Sequence, residues 1–163
     1  MENRWYAVYT RSRWEKKVAA AFTTAGIENY CPLNKVARQW SDRKKIIEEP
    51  LFTCYVFVRI NAKQHTAVRE VDGVLNLVYW LGKPAVIRDD EIQLIKDFLN
   101  KHRNVQIIHH RIRPNDMIKI NSGAFSNFTA QVLSVSNSTV KVLLPSLGCA
   151  MTANITYDRI EIQ

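Results

Sequence analysis

The sequence predicts an α+β protein in two parts, an antiparallel sheet flanked by helices over residues 1–103 and a small β-barrel over residues 116–163, joined by residues 104–115. Three observations carry this reading. The first hundred residues mix helical spacing with strand-like runs. From about Asn104 the helical period disappears and short strands alternate with turn signals. Charge is divided unevenly: residues 1–103 hold 18 Lys and Arg against 12 Asp and Glu, and residues 104–163 hold 5 against 3. With 47% hydrophobic and 23% charged residues a packed core is expected, and the net charge of +8 favours polyanionic partners.

Trp5-Tyr6-Ala7-Val8-Tyr9 is an aromatic and β-branched run, as in a strand buried on at least one face. From Ser12 the spacing of Trp14, Val18, Ala21, Phe22 and Ala25 makes one apolar helical face, closed by Gly26 as C-cap, with Arg11, Arg13, Lys16 and Lys17 on the other. A strand region from Tyr30 to Trp40 turns at Ser41-Asp42-Arg43 and returns through Ile46 and Ile47 toward Pro50, a hairpin whose tip carries Arg38, Arg43, Lys44 and Lys45. Leu51–Ile60 is the strongest strand and belongs in mid-sheet. A short helix over 62–71, a strand over Val74–Trp80 and a helix opening at Asp89-Asp90-Glu91, with Ile92, Ile95, Phe98 and Leu99 inward, complete the first part.

Five strands follow in under sixty residues: Met117–Ile120, Phe128–Val135, Val140–Leu144, Cys149–Asn154 and Asp158–Ile162. That density indicates a small β-barrel. The Val105–Ile108 stretch is apolar enough to pair with a sheet.

No apolar run approaches the ~18–20 residues of a membrane span, and the start of the chain lacks a signal-peptide apolar region, so the protein reads as cytoplasmic. Cys31, Cys54 and Cys149 form no C-x-x-C pair, which signals neither zinc nor a disulfide framework, and no cofactor motif is present. Metalloprotease, nucleophile-elbow and P-loop spacings are absent, and His109-His110 has no carboxylate neighbour, so catalysis is not indicated.

The wording Arg4-Trp5-Tyr6-Ala7-Val8-Tyr9 before a basic helix, then Glu49-Pro50-Leu51-Phe52-Thr53-Cys54-Tyr55-Val56-Phe57-Val58, resembles the NGN domain of NusG-type transcription factors. The second part resembles a KOW domain, an SH3-like barrel, in Asn115-Asp116-Met117-Ile118-Lys119-Ile120, Gly123-Ala124-Phe125, Val140-Lys141-Val142 and Tyr157-Asp158-Arg159-Ile160-Glu161. The Tyr-Val-Phe-Val wording is closest to specialised paralogues such as RfaH and the UpxY antiterminators. Thr53-Cys54 departs from the family pattern, which has Pro and a small or polar residue before the tyrosine.

The resemblance implies a monomeric transcription elongation and antitermination factor that docks on the β′ clamp helices of RNA polymerase and modulates pausing and termination. By motif position the docking patch contains Tyr9, Phe52, Tyr55, Phe57 and Leu77; His65 and Thr66 stand where specialised relatives touch the β gate loop. On the residues alone the same aromatics serve equally as core, because strand side chains alternate faces and one apolar run does not reveal which face is covered. Arg11, Arg13, Lys16 and Lys17, with Arg38, Arg43, Lys44 and Lys45, stand where the family approaches the non-template DNA strand; Trp14 and Trp40 could stack on unpaired bases. Either cluster also reads as a solvated charged face. Through the KOW domain the resemblance implies a small-subunit ribosomal protein or Rho as partner, with Leu147 at the position of the family's aromatic. The alternative is an RNA-binding KOW protein of the translation apparatus, but this chain lacks the long basic tails common in such proteins.

Overall fold

The computed structural model describes residues 2–109, 132–135 and 139–154. The strands expected at Met117–Ile120 and Asp158–Ile162, and the Gly123-Ala124-Phe125 motif, lie outside the described residues. The chain divides into two compact units, Met1–Pro32 with Phe52–Asp89, and Leu33–Leu51 with Asp90–Gln163.

The first unit is an antiparallel sheet built from β1 (Arg4–Thr10), β2 (Glu28–Tyr30), β5 (Tyr55–Ile60) and β6 (Val74–Leu77) in the order β2-β5-β1-β6, with β9 (Val86–Ile87) also pairing with β1. The register sets Tyr9 opposite Tyr55 and Val8 opposite both Val56 and Leu77. Alternation along the strands then sends Tyr6, Val8, Val56, Val58 and Ile60 to one face, where α1 (Glu15–Thr24) and α2 (His65–Arg69) cover them with Val18, Phe22 and Val68. Each such side chain, fully buried, contributes about 1.5–3 kcal/mol. Helix α1 ends in the expected glycine: Gly26, at φ +74, donates its N–H to Thr23 O at 3.1 Å, and Ile27 donates to Phe22 O at 2.9 Å. This pair of bonds satisfies two terminal carbonyls, and a left-handed residue makes it possible.

Two expected strands are shorter than their apolar runs. Leu51–Ile60 is a strand only from Tyr55, because Phe52–Tyr55 forms a turn. Val74–Trp80 breaks after Leu77, and β7 (Tyr79–Trp80) pairs with β8 (Lys83–Pro84) across Leu81-Gly82, at φ +52 and +76. Positive φ at both loop residues is what a tight two-residue hairpin requires.

In the second unit β3 (Leu33–Gln39) pairs with β4 (Lys44–Pro50) along its whole length, and Trp40 N–H closes the tip on Arg43 O at 2.8 Å. Helix α3 (Asp89–Lys101) buries Ile92, Ile95 and Phe98 as its spacing predicts, leaves the expected Leu99 only half-buried, and also buries Glu91, whose carboxylate accepts the Ser146 N–H at 3.0 Å. The second sheet is antiparallel in the order β10 (Gln106–His109), β13 (Cys149–Asn154), β12 (Thr139–Leu144), β11 (Val132–Val135). Its core includes Val142, Leu144, Ala150 and Met151. The short apolar stretch after Asn104 thus pairs with a sheet.

Candidate functional site

On the sheet face opposite α1 and α2 the alternation brings Tyr9 beside Tyr55 and Phe57 beside Tyr30. The Tyr9 and Tyr55 rings lie 4.9 Å apart between centroids, Phe52 meets Phe57 edge-on at 5.5 Å, and Tyr30 stacks on Phe57 at 6.5 Å. Tyr9 is 38% exposed; Phe52 and Tyr55 are half-buried. Burial, with the neighbouring Cys31 adding to it, pushes the Tyr30 phenol up to about 12.

Two of the five residues expected in this patch are not at the surface. Phe57 is 0% exposed and supports Phe52 from beneath. Leu77, 1% exposed, pairs with Val8 and shares its inward face, so it belongs to the core under the helices. The Leu77 correction follows from strand alternation, which an uninterrupted apolar run conceals; Phe57 shares the face of Tyr55, and the rings of Phe52 and Tyr30 lie against it.

The turn between these rings has an unusual backbone. Tyr55 N–H reaches Phe52 O at 3.4 Å, and Cys54 takes φ +65, a left-handed value that costs a residue with a Cβ roughly 1–2 kcal/mol. The Cys54 N–H donates to the Glu15 carboxylate at 2.7 Å, and its carbonyl accepts the Thr10 N–H at 2.9 Å. Glu15, 5% exposed, opens α1, where the helix dipole favours a negative charge. It also lies close enough to Cys31 to help burial push that thiol up to about 11, with Lys16 opposing.

The first basic cluster gathers on Trp14. The Arg11 guanidinium and the Lys17 ammonium lie 5.3 and 4.8 Å from its ring, and Arg11 also pairs with Asp72 at 3.5 Å. Trp14 is half-buried against the core, where Gly73 leaves room for it, so its ring already has occupants; Arg13 and Lys16 are exposed. The second cluster lies on the β3–β4 hairpin. Arg38 is held by Glu49 at 3.1 Å, Lys45 sits 5.5 Å from the exposed Trp40 ring, and Arg43 and Lys44 are exposed.

His65 and Thr66 differ in presentation. The His65 ring meets Tyr6 edge-on at 5.0 Å, with its Nε2 shielded from solvent, while Thr66 is exposed. Burial first, and then the nearby Arg69, lower the His65 pKa.

Sequence reasoning missed three features. Glu15 had no place in the sequence reading; an acid directly after an aromatic, on the apolar stripe, was the available signal. Asn76 pairs with Tyr9 on β6 and is exposed, but it sits in a run that reads as strand core. The β7–β8 hairpin exposes Trp80 and Leu81, the latter 92% exposed, while Tyr79 packs under the Arg69 guanidinium, which donates to its hydroxyl. Among the described residues no group of three His, Cys, Asp or Glu could hold a metal ion, and no helix is long and apolar enough to cross a membrane.

A family model described as "Transcription termination factor nusG" matches residues 3–96. The Bacillus subtilis protein named transcription termination/antitermination protein NusG is 25% identical over 178 residues, covering 99% of each chain. Its namesake from Streptococcus pyogenes serotype M3 is 26% identical over 170 residues, covering 96% of this chain and 94% of its own. A solved structure described as "Domain interaction in Thermotoga maritima NusG" has a TM-score of 0.51 at 22% identity, covering 97% of this chain and 96% of that one, and shares the fold.

Proposed function

Because the chain belongs to the NusG family of transcription factors, which are not enzymes, we propose that it binds RNA polymerase at the β′ clamp helices through Tyr9, Tyr55 and Phe52 and so modulates pausing and termination. The observation that carries this reading is the Tyr9–Tyr55 pair, Tyr9 exposed and Tyr55 half-buried, on the sheet face away from α1 and α2. Tyrosines suit such a surface: they bury large areas with few rotors, and a few aromatic anchors carry most of an interface's energy. Phe57 acts as the floor of the patch.

In this reading residues 1–103 carry the polymerase and DNA contacts. Arg11, Arg13, Lys16 and Lys17, with Arg43, Lys44 and Lys45, neutralise phosphates of the non-template strand, and Trp40 offers a ring to an unpaired base. Thr66 is the better-presented half of the gate-loop pair, while the His65 ring packs against Tyr6. A factor that holds clamp and gate loop together favours the closed polymerase only as far as it binds that state better than the open one. Residues 116–163 form the KOW module that would meet Rho or a small-subunit ribosomal protein, although Leu147 stands where the family carries its partner-binding aromatic.

The test is the affinity of the full chain for purified core RNA polymerase. Tyr9→Ala with Tyr55→Ala, two hot-spot truncations, is expected to weaken binding by ~100-fold or more while the thermal melt stays cooperative. Unchanged affinity in this folded double variant refutes the patch. Recovery of ribosomes without polymerase on tagged wild-type protein favours the translation reading instead.

A further inference from the structure

Resting on that reading, we infer that Glu15 is a positioning residue for polymerase binding: its carboxylate holds the Phe52–Tyr55 turn in the shape that presents both rings. The turn is poorly closed on its own, since the Tyr55 N–H to Phe52 O bond is 3.4 Å long. Its third residue is Cys54, not glycine, at φ +65. A side chain persists in that region only where its surroundings over-determine it. The surroundings here are two hydrogen bonds on one residue, the N–H to Glu15 Oε1 at 2.7 Å and the carbonyl from Thr10 N–H at 2.9 Å. The first is a short bond to a carboxylate whose side chain is itself buried, which makes it the stronger. Without it, Cys54 relaxes toward negative φ and the following peptide rotates. Tyr55 then leaves its place against Tyr9, and Phe52 its place on Phe57. Glu15 reaches the polymerase through this turn and need not touch it.

The experiment compares full-length variants for affinity to core RNA polymerase and for hydrogen exchange at the Cys54 amide. Glu15→Met keeps the helix and fills similar space but removes the acceptor; it is expected to lose about tenfold in affinity and to speed Cys54 exchange. Glu15→Gln keeps an acceptor and most of the affinity. Cys54→Gly removes the strain, so Glu15→Met with Cys54→Gly is expected to recover at least half of the logarithmic loss, a rescue that a purely structural role of Glu15 does not produce. Should Glu15→Met melt below the assay temperature, Cys54→Gly is compared with the double variant: equal affinities support the inference and a tenfold gap overturns it. Wild-type affinity in Glu15→Met, or loss without rescue, also overturns it. The Tyr9→Ala, Tyr55→Ala variant runs alongside. If it loses affinity while Glu15→Met does not, only the inference fails; if it too is unchanged, the docking reading fails, while slow Cys54 exchange still reports whether Glu15 holds the turn.

Discussion

Asn34 clasps the main chain of Val105: its Nδ2 donates to the Val105 carbonyl at 2.8 Å and its Oδ1 accepts the Val105 N–H at 3.1 Å. Both residues are buried. Beside them Asn104 donates its N–H to Lys35 O at 2.9 Å and accepts the Ala37 N–H at 3.2 Å, so the hairpin strand β3 and the chain after α3 are stitched together without a ladder. Asn34→Ala leaves a buried donor and acceptor unpaired, each costing about 1–3 kcal/mol, and Asn34→Asp restores the acceptor only. Urea denaturation checks this; a midpoint unchanged in Asn34→Ala removes the clasp from the account of stability.

Phe57→Ala is expected to cost about 3–5 kcal/mol of stability, since it opens a cavity beneath Phe52 and Tyr30. Tyr9→Ala, at a surface site, is expected to stay within about 1 kcal/mol of wild type. The contrast, read from denaturation midpoints, separates the floor of the patch from its face.

Gly73 sits at φ +92, and a Cβ there would lie 2.6 Å from Trp14 Cε3 and 2.8 Å from Val18 Cγ2. Backbone strain and overlap add, so Gly73→Ala is expected to destabilise by about 2 kcal/mol or more and to shift the Trp14 fluorescence. A melt equal to wild type contradicts the close approach.

His65 has a folded pKa below its ordinary 6.5, because burial and Arg69 disfavour the imidazolium. Between the lowered and ordinary values the unfolded chain binds the proton more readily. Stability is therefore retained above the ordinary value and lost as pH falls through it toward the folded one. His65→Gln removes this contribution, so the stability lost between about pH 7 and about pH 5 is smaller in the variant. Parallel pH profiles for the two proteins contradict the shielding of His65.

Binding of a labelled single-stranded oligonucleotide tests the basic hairpin. Each of Arg43→Ala, Lys44→Ala and Lys45→Ala is expected to flatten the plot of log affinity against log salt by roughly 0.7 for every phosphate left without its cation, with little dependence on sequence. A slope that stays constant through the triple substitution leaves these cations as a solvated face.

Element types were largely legible in the sequence, and the presentation of side chains much less so. The apolar stripe Trp14, Val18, Phe22 with Gly26 behind it specified α1, and Ile92, Ile95 and Phe98 specified α3, because helical spacing states which face is inward. The run Leu51–Ile60 stated nothing of the kind. It is apolar on both faces, so the half-buried Tyr55 and the fully buried Phe57 read alike, and Cys54 gave no sign of a left-handed turn. The run Val74–Trp80 likewise hid its break after Leu77, and the pairing of Trp80 with Lys83 leaves Leu81 and Gly82 as a positive-φ tip. Glu91 read as a helix-start acid, yet it is buried because Ser146, far along the chain, supplies its donor.

The clasp on β3 also has a timetable. Asn34 and Val105 are 71 residues apart, which at synthesis rates of roughly 5–20 residues per second separates their arrival by about 4–14 seconds. Until residues 104 and 105 are made, β3 lacks the bonds they supply to Asn34, Lys35 and Ala37, while Trp40 and Ile46 are exposed even in the finished fold. An early-made piece thus waits on a late-made one, and translational pauses between codons 52 and 105 lengthen the exposure of a young hairpin edge to neighbouring chains.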